Sequence, residues 1–528
     1  MSNNFTRRFL MAAIMGAMVF AGGAQAAQKA AVVPLPAQLE MKTGSFKTGA
    51  SLSLALSPAG AAELKSIAAV LKDFASQDAG VTMTEGAGGP QVVLELASNA
   101  TLAKLGEEAY TLEVTPDAIK ISAPTGHGVF NGAMTVVQLL AAAKHSGNVP
   151  CLAVTDYPRF AHRGVLIDPA RNFLTMTTIK KTVDSLARLK MNVLHFHLVD
   201  DQGWRFESKI FPKLTQVGGA GGFYTQDRLR DLVAYAAARY VTVMPEIEMP
   251  GHSRALLASY PELTCSGQPL EVATHRGIFP TALCPGKPEV YDFLDKLTRE
   301  VASIFPSYYI HTGSDEVAPK DWNNFPGNDE LKKNLAEKND KGLQCYFINK
   351  VNSGFLKMGR RMTVWDEMVD CLPEGARVQA WRSIGAARTA AMKNHDVVVS
   401  LVNPWYLDYP VYPGKLWQVY KFEPVPRDLP ADPAPLPDLE ALPRATIRFA
   451  TDDPSLTERE WPGARFERRE DGTVDASVPF AGTGWLARKV AAGLGSAEAL
   501  CPPELRTAIA RFAREALDKA TARPSRDL

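Results

Sequence analysis

Two carboxylates stand side by side in His311-Thr312-Gly313-Ser314-Asp315-Glu316, directly after the apolar run Tyr308-Tyr309-Ile310. A strand that ends in an Asp-Glu pair is suited to acid-base chemistry. Adjacent carboxylates repel when both are ionised, so one is pushed toward keeping its proton near neutral pH, as a general acid must. The plain alternative is a pair that caps the next helix or sits in a solvated loop. Other residues decide against it. Apolar runs elsewhere also end in polar or aromatic residues: Asp168 and Arg171; His195, His197, Asp200 and Asp201; Glu246, Glu248 and His252; Trp365, Asp366 and Glu367; Trp381; and Trp405, Tyr406 and Asp408. One charged strand end means little, but this density at successive ends argues for a site. Flat indole and phenol faces among carboxylates and an Arg suit a sugar, whose C-H faces stack on aromatics and whose hydroxyls take the charged groups.

These residues need a frame that brings strand ends together. From Gly164 onward, apolar strands alternate with amphipathic helices at roughly thirty-residue intervals, the spacing of βα units. Strands are expected at 165–168, 193–198, 241–247, 308–312, 363–366, 377–381 and 397–402. Seven of them predict an α/β fold of the (β/α)8 TIM-barrel type with its eighth strand missing or replaced. Before it, residues 27–155 mix short alternating strands with helical stretches and read as a small α+β domain. The barrel is expected over 156–425 and a Pro-rich linker over 426–444. A C-terminal module follows over 445–528, with a strand near Ala445, an amphipathic helix over 503–520 and a weak likeness to a β-sandwich.

The 528 residues exceed one ordinary domain, and Lys plus Arg (58) nearly balance Asp plus Glu (57). Nothing in that balance points to nucleic acid or an anionic membrane; a neutral carbohydrate fits better. Arg7-Arg8, the apolar run Phe9 to Phe20 and Ala24-Gln25-Ala26 predict a signal peptide over 1–26, hence export to the periplasm or beyond. No segment is long enough for a membrane span. Of six cysteines, Cys265 and Cys284 bracket one loop and are the expected disulfide; Cys151, Cys345, Cys371 and Cys501 read most simply as buried thiols. No cofactor is called for, and no metal site is expected. His195-x-His197 puts two imidazoles on one face of a strand, a spacing some metalloenzymes use, but packed, hydrogen-bonded histidines are the simpler reading.

Glycosidases with two catalytic carboxylates place them about 5 Å or more apart across the scissile bond. Sequence neighbours are awkward there. They suit a substrate that supplies its own nucleophile: a 2-acetamido oxygen attacks the anomeric carbon while one carboxylate steadies the N-H and the other protonates the leaving oxygen. The motifs Asp168-Pro-Ala-Arg171-Asn-Phe, Met191 to Trp204, Pro245-Glu-Ile-Glu-Met-Pro-Gly-His252, His311 to Val317, Trp365-Asp-Glu, Gln379-Ala-Trp381 and Trp405-Tyr406-Leu-Asp408 resemble, in order, glycoside hydrolase family 20, the β-N-acetylhexosaminidases, chitobiase-like members included.

The resemblance implies Glu316 as general acid/base, Asp315 as the residue orienting the acetamido nitrogen, and Tyr406 as donor to the acetamido oxygen. It implies a relay of His252 and Asp200 tuning Glu316. Arg171, Asp408, Glu248 and Asp201 would hold the sugar, with Trp365, Trp381 and Trp405 as pocket walls. The partner implied is a glycan ending in N-acetylhexosamine; oligomeric state is left open. This chain departs from the family pattern at Asn172, Ser314 and Glu248, and lacks the family's Trp-x-Glu segment on the last strand. An inactive N-acetylhexosamine-binding protein is therefore the alternative expectation.

Overall fold

The computed structural model describes residues 30–86, 91–97, 99–373, 375–408, 417–419, 421–425, 444–449, 465–469, 471, 473–479 and 497–501. The expected signal peptide, nearly all of the Pro-rich linker and the 503–520 helix lie outside them. Contacts divide the chain into two units, one ending at Phe422 and one beginning at Glu423.

The first unit opens with a seven-stranded mixed sheet, in spatial order Gln38–Lys47, Asn148–Asp156, Tyr110–Val114, Ala118–Ala123, Gln91–Leu96, Ser51–Leu56 and Thr82–Glu85. Alternation sends Val92, Leu94, Leu112, Ile119 and Ile121 to one face, where they are fully buried under the helices Ala61–Phe74 and Gly126–Ala142. Gly126–Ala142 also packs on the barrel helix Met176–Arg188. Beside that contact the buried ammonium of Lys190 lies 2.9 Å from both Asp156 Oδ2 and the Tyr110 hydroxyl.

Seven parallel strands follow, each beside its sequence neighbour: Gly164–Ile167, Val193–His197, Thr242–Glu246, Tyr309–His311, Arg361–Trp365, Arg377–Ala380 and Val397–Val399. Every expected barrel strand is there. Period two divides them: Leu194, Phe196, Val243, Ile310, Met362, Val364 and Val378 are buried apolar residues, while His195, His197, Met244, Glu246, His311, Thr363, Trp365 and Arg377 meet one another inside the curl. The helices between strands start on sequence signals. Thr175 and Thr225 accept bonds from the amides of Thr178 and Arg228, and Pro288 opens Pro288–Ile304.

Among the described residues the curl does not close. Gly164–Ile167 pairs only with Val193–His197, and Val397–Val399 only with Arg377–Ala380, among the described residues. Val397 to Val399 are only half-buried and Leu166 is 38 % exposed, although continuous apolar strands belong to sheets covered on both sides. After the barrel, Arg444–Phe449, Arg465–Arg468, Val474–Pro479 and Ala497–Cys501 form one antiparallel four-stranded sheet.

Cys265 and Cys284 form the expected disulfide. Cys345 and Cys371, read as thiols, form a second one. A whole strand lies between them in sequence, but helix Asp340–Lys357 and the turn after Trp365 bring their Cα atoms to 5.7 Å. Cys151 is a free buried thiol.

Replacing Lys190 with Met strands the buried Asp156 carboxylate. A loss of about 3–5 kcal/mol is expected for a broken buried pair, measured by urea unfolding; a loss under ~1 kcal/mol would show that the pair does not secure this contact.

Candidate active site

The site is built on turns that leave the carboxyl ends of the strands. His252, Ser314 and Glu316 all have left-handed backbones, with φ of 47°, 76° and 44°. Non-glycine residues are seldom held there unless their surroundings fix them, and such positions gather at functional sites. Ser314 is fixed by its hydroxyl, which donates to the carbonyl of Met249 at 2.8 Å. Gly313 is obligatory, since a Cβ there would stand 1.5 Å from Glu248 Oε2. The strand thus turns back on itself so that Asp315 and Glu316 face different surroundings.

Asp315 is largely buried, and its Oδ1 has no hydrogen-bond partner among the described residues. Burial pushes its pKa up to about 7; the charge of His252 opposes the rise, and Glu246 and Glu367 add to it. Glu316 is open to solvent, with its Oε2 3.4 Å from His252 Nε2. This contact with the imidazole holds Glu316 below the usual glutamate range. The two neighbours therefore differ in acidity: Asp315, the buried member, keeps its proton to higher pH than Glu316.

Behind Glu316 runs a chain of charges. His252 Nδ1 lies 3.0 Å from Asp201 Oδ2 and 3.4 Å from Asp200 Oδ1. Burial would discharge His252, but hydrogen bonds to Asp200, Asp201 and Glu316 outweigh it and keep the ring charged. Asp200 Oδ2 lies 2.9 Å from His197 Nε2 and 2.6 Å from the Arg171 guanidinium, which also meets Asp168 at 2.8 Å. Burial opposes ionisation of Asp200 too, and His197 and His252 overcome it. His197 Nδ1 then reaches Glu246 Oε2 at 2.6 Å.

Aromatic walls stand on the next strands. Trp365 and Trp381 meet edge to face at 6.5 Å and 71°. Trp365 Nε1 donates to Glu246 Oε1 at 3.0 Å, and Trp381 Nε1 donates to both Glu367 oxygens at 3.1 and 3.2 Å. Burial raises the Tyr406 pKa, and Asp315, Glu246, Asp408 and Glu367 push it further, so the phenol remains a donor. Trp405 is packed edge to face on Phe422 at 5.1 Å, and Asp408 is exposed.

Asp315, Glu316, His252, Asp200, Arg171, Trp365, Trp381 and Tyr406 thus converge. Two expected sugar contacts do not reach the open pocket. Asp201 is 1 % exposed because it is spent on His252 and on the amide of Arg254, and Glu248 is 1 % exposed behind Gly313. Both Glu248 oxygens lack a hydrogen-bond partner among the described residues; burial, then Asp315 and Glu246, push its pKa far up, so it stays neutral. Glu246 and Glu367 were visible only as strand-end charges, without roles. The i,i+2 spacing of His195 and His197 gave the available hint of Glu246, since two inward imidazoles on one strand need an acceptor on the next. His195, His311 and Glu246 could also make a metal-ligand set by proximity. Their nitrogens stand 2.8 and 2.9 Å from Glu246 oxygens, and the His311 nitrogen also accepts a bond from the Gly313 amide at 3.0 Å.

A parallel curl that gathers paired carboxylates and two indoles at the carboxyl ends of its strands has its candidate site where (β/α)-barrel enzymes place theirs. The chain belongs to glycoside hydrolase family 20: residues 160–429 match that family's catalytic domain and 29–157 its domain 2. Residues 441–517 match the WCX domain, which the sequence pattern alone did not announce. The beta-hexosaminidase of Porphyromonas gingivalis is 36 % identical over 436 residues, 76 % of this chain and 55 % of that protein. The beta-N-acetylhexosaminidase of Cellulomonas fimi is 34 % identical, over 66 % of this chain and 72 % of its own length. An exo beta-N-acetylglucosaminidase from Vibrio harveyi, crystallised with N-acetylglucosamine, superposes with a TM-score of 0.66 at 30 % identity, covering 76 % of this chain and 67 % of that one. The chain spans 55 % of the length of the Porphyromonas gingivalis relative and 59 % of a beta-hexosaminidase from Vibrio furnissii.

Turnover that draws on the proton shared by Asp315 and Glu316 should fall once the pair loses it. In kcat/KM a basic limb near pH 7 is expected, moving down below the usual glutamate range in Asp315→Asn, where Glu316 is the member of the pair left to titrate. A limb that stays in place in the variant would assign it to another group.

Proposed function

We propose that this protein is an exo-acting β-N-acetylhexosaminidase that removes terminal β-linked N-acetylglucosamine or N-acetylgalactosamine with retention, by substrate assistance. The observation that carries the reading is the pairing of Asp315, whose buried Oδ1 lacks a partner, with solvent-open Glu316 on His252, beside the Trp365–Trp381 corner. An acetamido group seated against the indoles offers its N-H to Asp315. Its carbonyl oxygen attacks the anomeric carbon, the glycosidic C-O bond breaks, and Glu316 gives its proton to the leaving oxygen. The positive charge of the oxazolinium ring is met by Asp315. Glu316, now a base, takes a proton from the water that reopens the ring.

The acidities of the two carboxyls fit this sequence of events. A bound acetamide supplies Asp315 with the donor it lacks and favours its charged form, while the sugar strips water from Glu316 and favours its neutral form. Binding itself thus moves the shared proton to the acid. Tyr406, held protonated, is placed to donate to the acetamido oxygen.

Two further readings belong with this one. The edges left unpaired among the described residues support a binding protein without turnover, because the family's Trp-x-Glu segment, which would complete the sugar site, is not found in the sequence. Export to an oxidising compartment is supported by the two disulfides.

A chromogenic β-N-acetylglucosaminide separates the first two. Hydrolysis by the wild type is expected, with Glu316→Gln and Asp315→Asn each losing about 10²–10⁴-fold in kcat at unchanged melting temperature. A folded wild type that binds N-acetylglucosamine without releasing chromophore would establish the binding protein instead.

A further inference from the structure

The relay that the family resemblance implies runs from Glu316 through His252 to Asp200. Those links are ion-pair contacts of 3.4 Å, and beyond Asp200 the chain continues through hydrogen bonds. Asp200 Oδ2 lies 2.9 Å from His197 Nε2, and His197 Nδ1 is 2.6 Å from Glu246 Oε2. Strand register forces the last link, because Glu246 pairs with His197 on one side and His311 on the other, so the three side chains stand level inside the curl. Glu246 is fully buried, yet four nitrogens surround it: Trp365 Nε1, His195 Nε2, His197 Nδ1 and His311 Nδ1, all within 3.0 Å. Its other oxygen thus holds the indole that forms one side of the acetamido pocket.

We propose that Glu246 is a positioning residue for the hydrolysis, the far end of a carboxylate–imidazole–carboxylate–imidazole chain that sets the orientation and charge of the acid Glu316, and at the same time the anchor of Trp365. One carboxylate thereby ties the acetamido wall to the proton donor. The ionisation states agree with the geometry. Burial alone would neutralise both groups, but His311, His197 and His195 keep Glu246 ionised, and Glu246, Asp168 and Asp200 keep His197 charged. A neutral amide at 246 removes the charge that holds His197 in its cationic form, and Asp200 then loses one of its cations. His195 touches the same carboxylate but lies off the chain, which makes it the control.

This inference rests on the hydrolase reading. The test compares kcat and KM of wild type, Glu246→Gln, His197→Gln and His195→Gln on two aryl β-N-acetylglucosaminides, one with an activated dinitrophenol leaving group and one with an unactivated phenol that needs protonation. Melting curves accompany each variant. Expected for Glu246→Gln and His197→Gln is a kcat loss on the unactivated phenol of about 10–100-fold, a part of what general acid catalysis supplies, with a much smaller loss on the dinitrophenyl substrate. His195→Gln should change both substrates alike. Equal losses on both substrates in Glu246→Gln and His197→Gln, or a change in KM alone, would overturn the proposal. If Glu246→Gln does not fold, the contrast between His197→Gln and His195→Gln decides by the same criterion. A wild type inactive on both substrates would defeat the hydrolase reading itself, an outcome distinct from any pattern among active variants.

Discussion

A carboxylate buried in a barrel costs several kcal/mol unless its oxygens are met by donors and its charge by cations. Glu246 sets that condition for the whole mouth of the curl. Its neighbour His197 can stay charged in the interior only because this carboxylate accepts its hydrogen bond. The requirement then propagates outward: a charged His197 needs Asp200, Asp200 needs Arg171 and His252, and His252 ends at Glu316. Remove any one member and the next is left as an uncompensated charge in a dry place. The network is therefore as much a constraint on folding as on chemistry, and it explains why so few apolar residues line the carboxyl end of this barrel.

The frame was largely legible in the sequence, for a physical reason. Parallel barrel strands are short apolar runs with polar ends, and helices begin at Thr, Ser or Pro, so period and punctuation sufficed for all seven strands. The site was legible as a set of residue types, because Asp315-Glu316, Arg171, His252 and the Trp residues sit where strands end. Burial and pairing were not legible. Asp201 and Glu248 look like free carboxylates in a string of letters; only the turn at His252, and the missing Cβ at Gly313, show that one is consumed by an imidazole and the other is enclosed. The same holds for Cys345 and Cys371, whose proximity is made by a helix and a turn separated by a strand. Two adjacent carboxylates also give no sign of which one is buried, so sequence could assign the shared proton to the pair but not to Asp315.

The chain departs from the family pattern after the seventh strand. There the barrel gives way to a segment matching the WCX domain, seen in the described residues as a four-stranded antiparallel sheet. The candidate site is nonetheless carried by the strands described. Asp315, Glu316, His252, Trp365 and Trp381 all lie between the second strand and the end of the sixth, away from both free edges.

Arg171 and Tyr406, by contrast, come after the first and the seventh strands, one on each lip of the opening. A closed barrel is a hoop, stiff because every strand is held from both sides; among the described residues this one is a clasp. On the function proposed above, a hexosamine held by the guanidinium on one lip and the phenol on the other would pin that clasp, its binding energy adding to the stability of the folded state according to how fully the site is occupied.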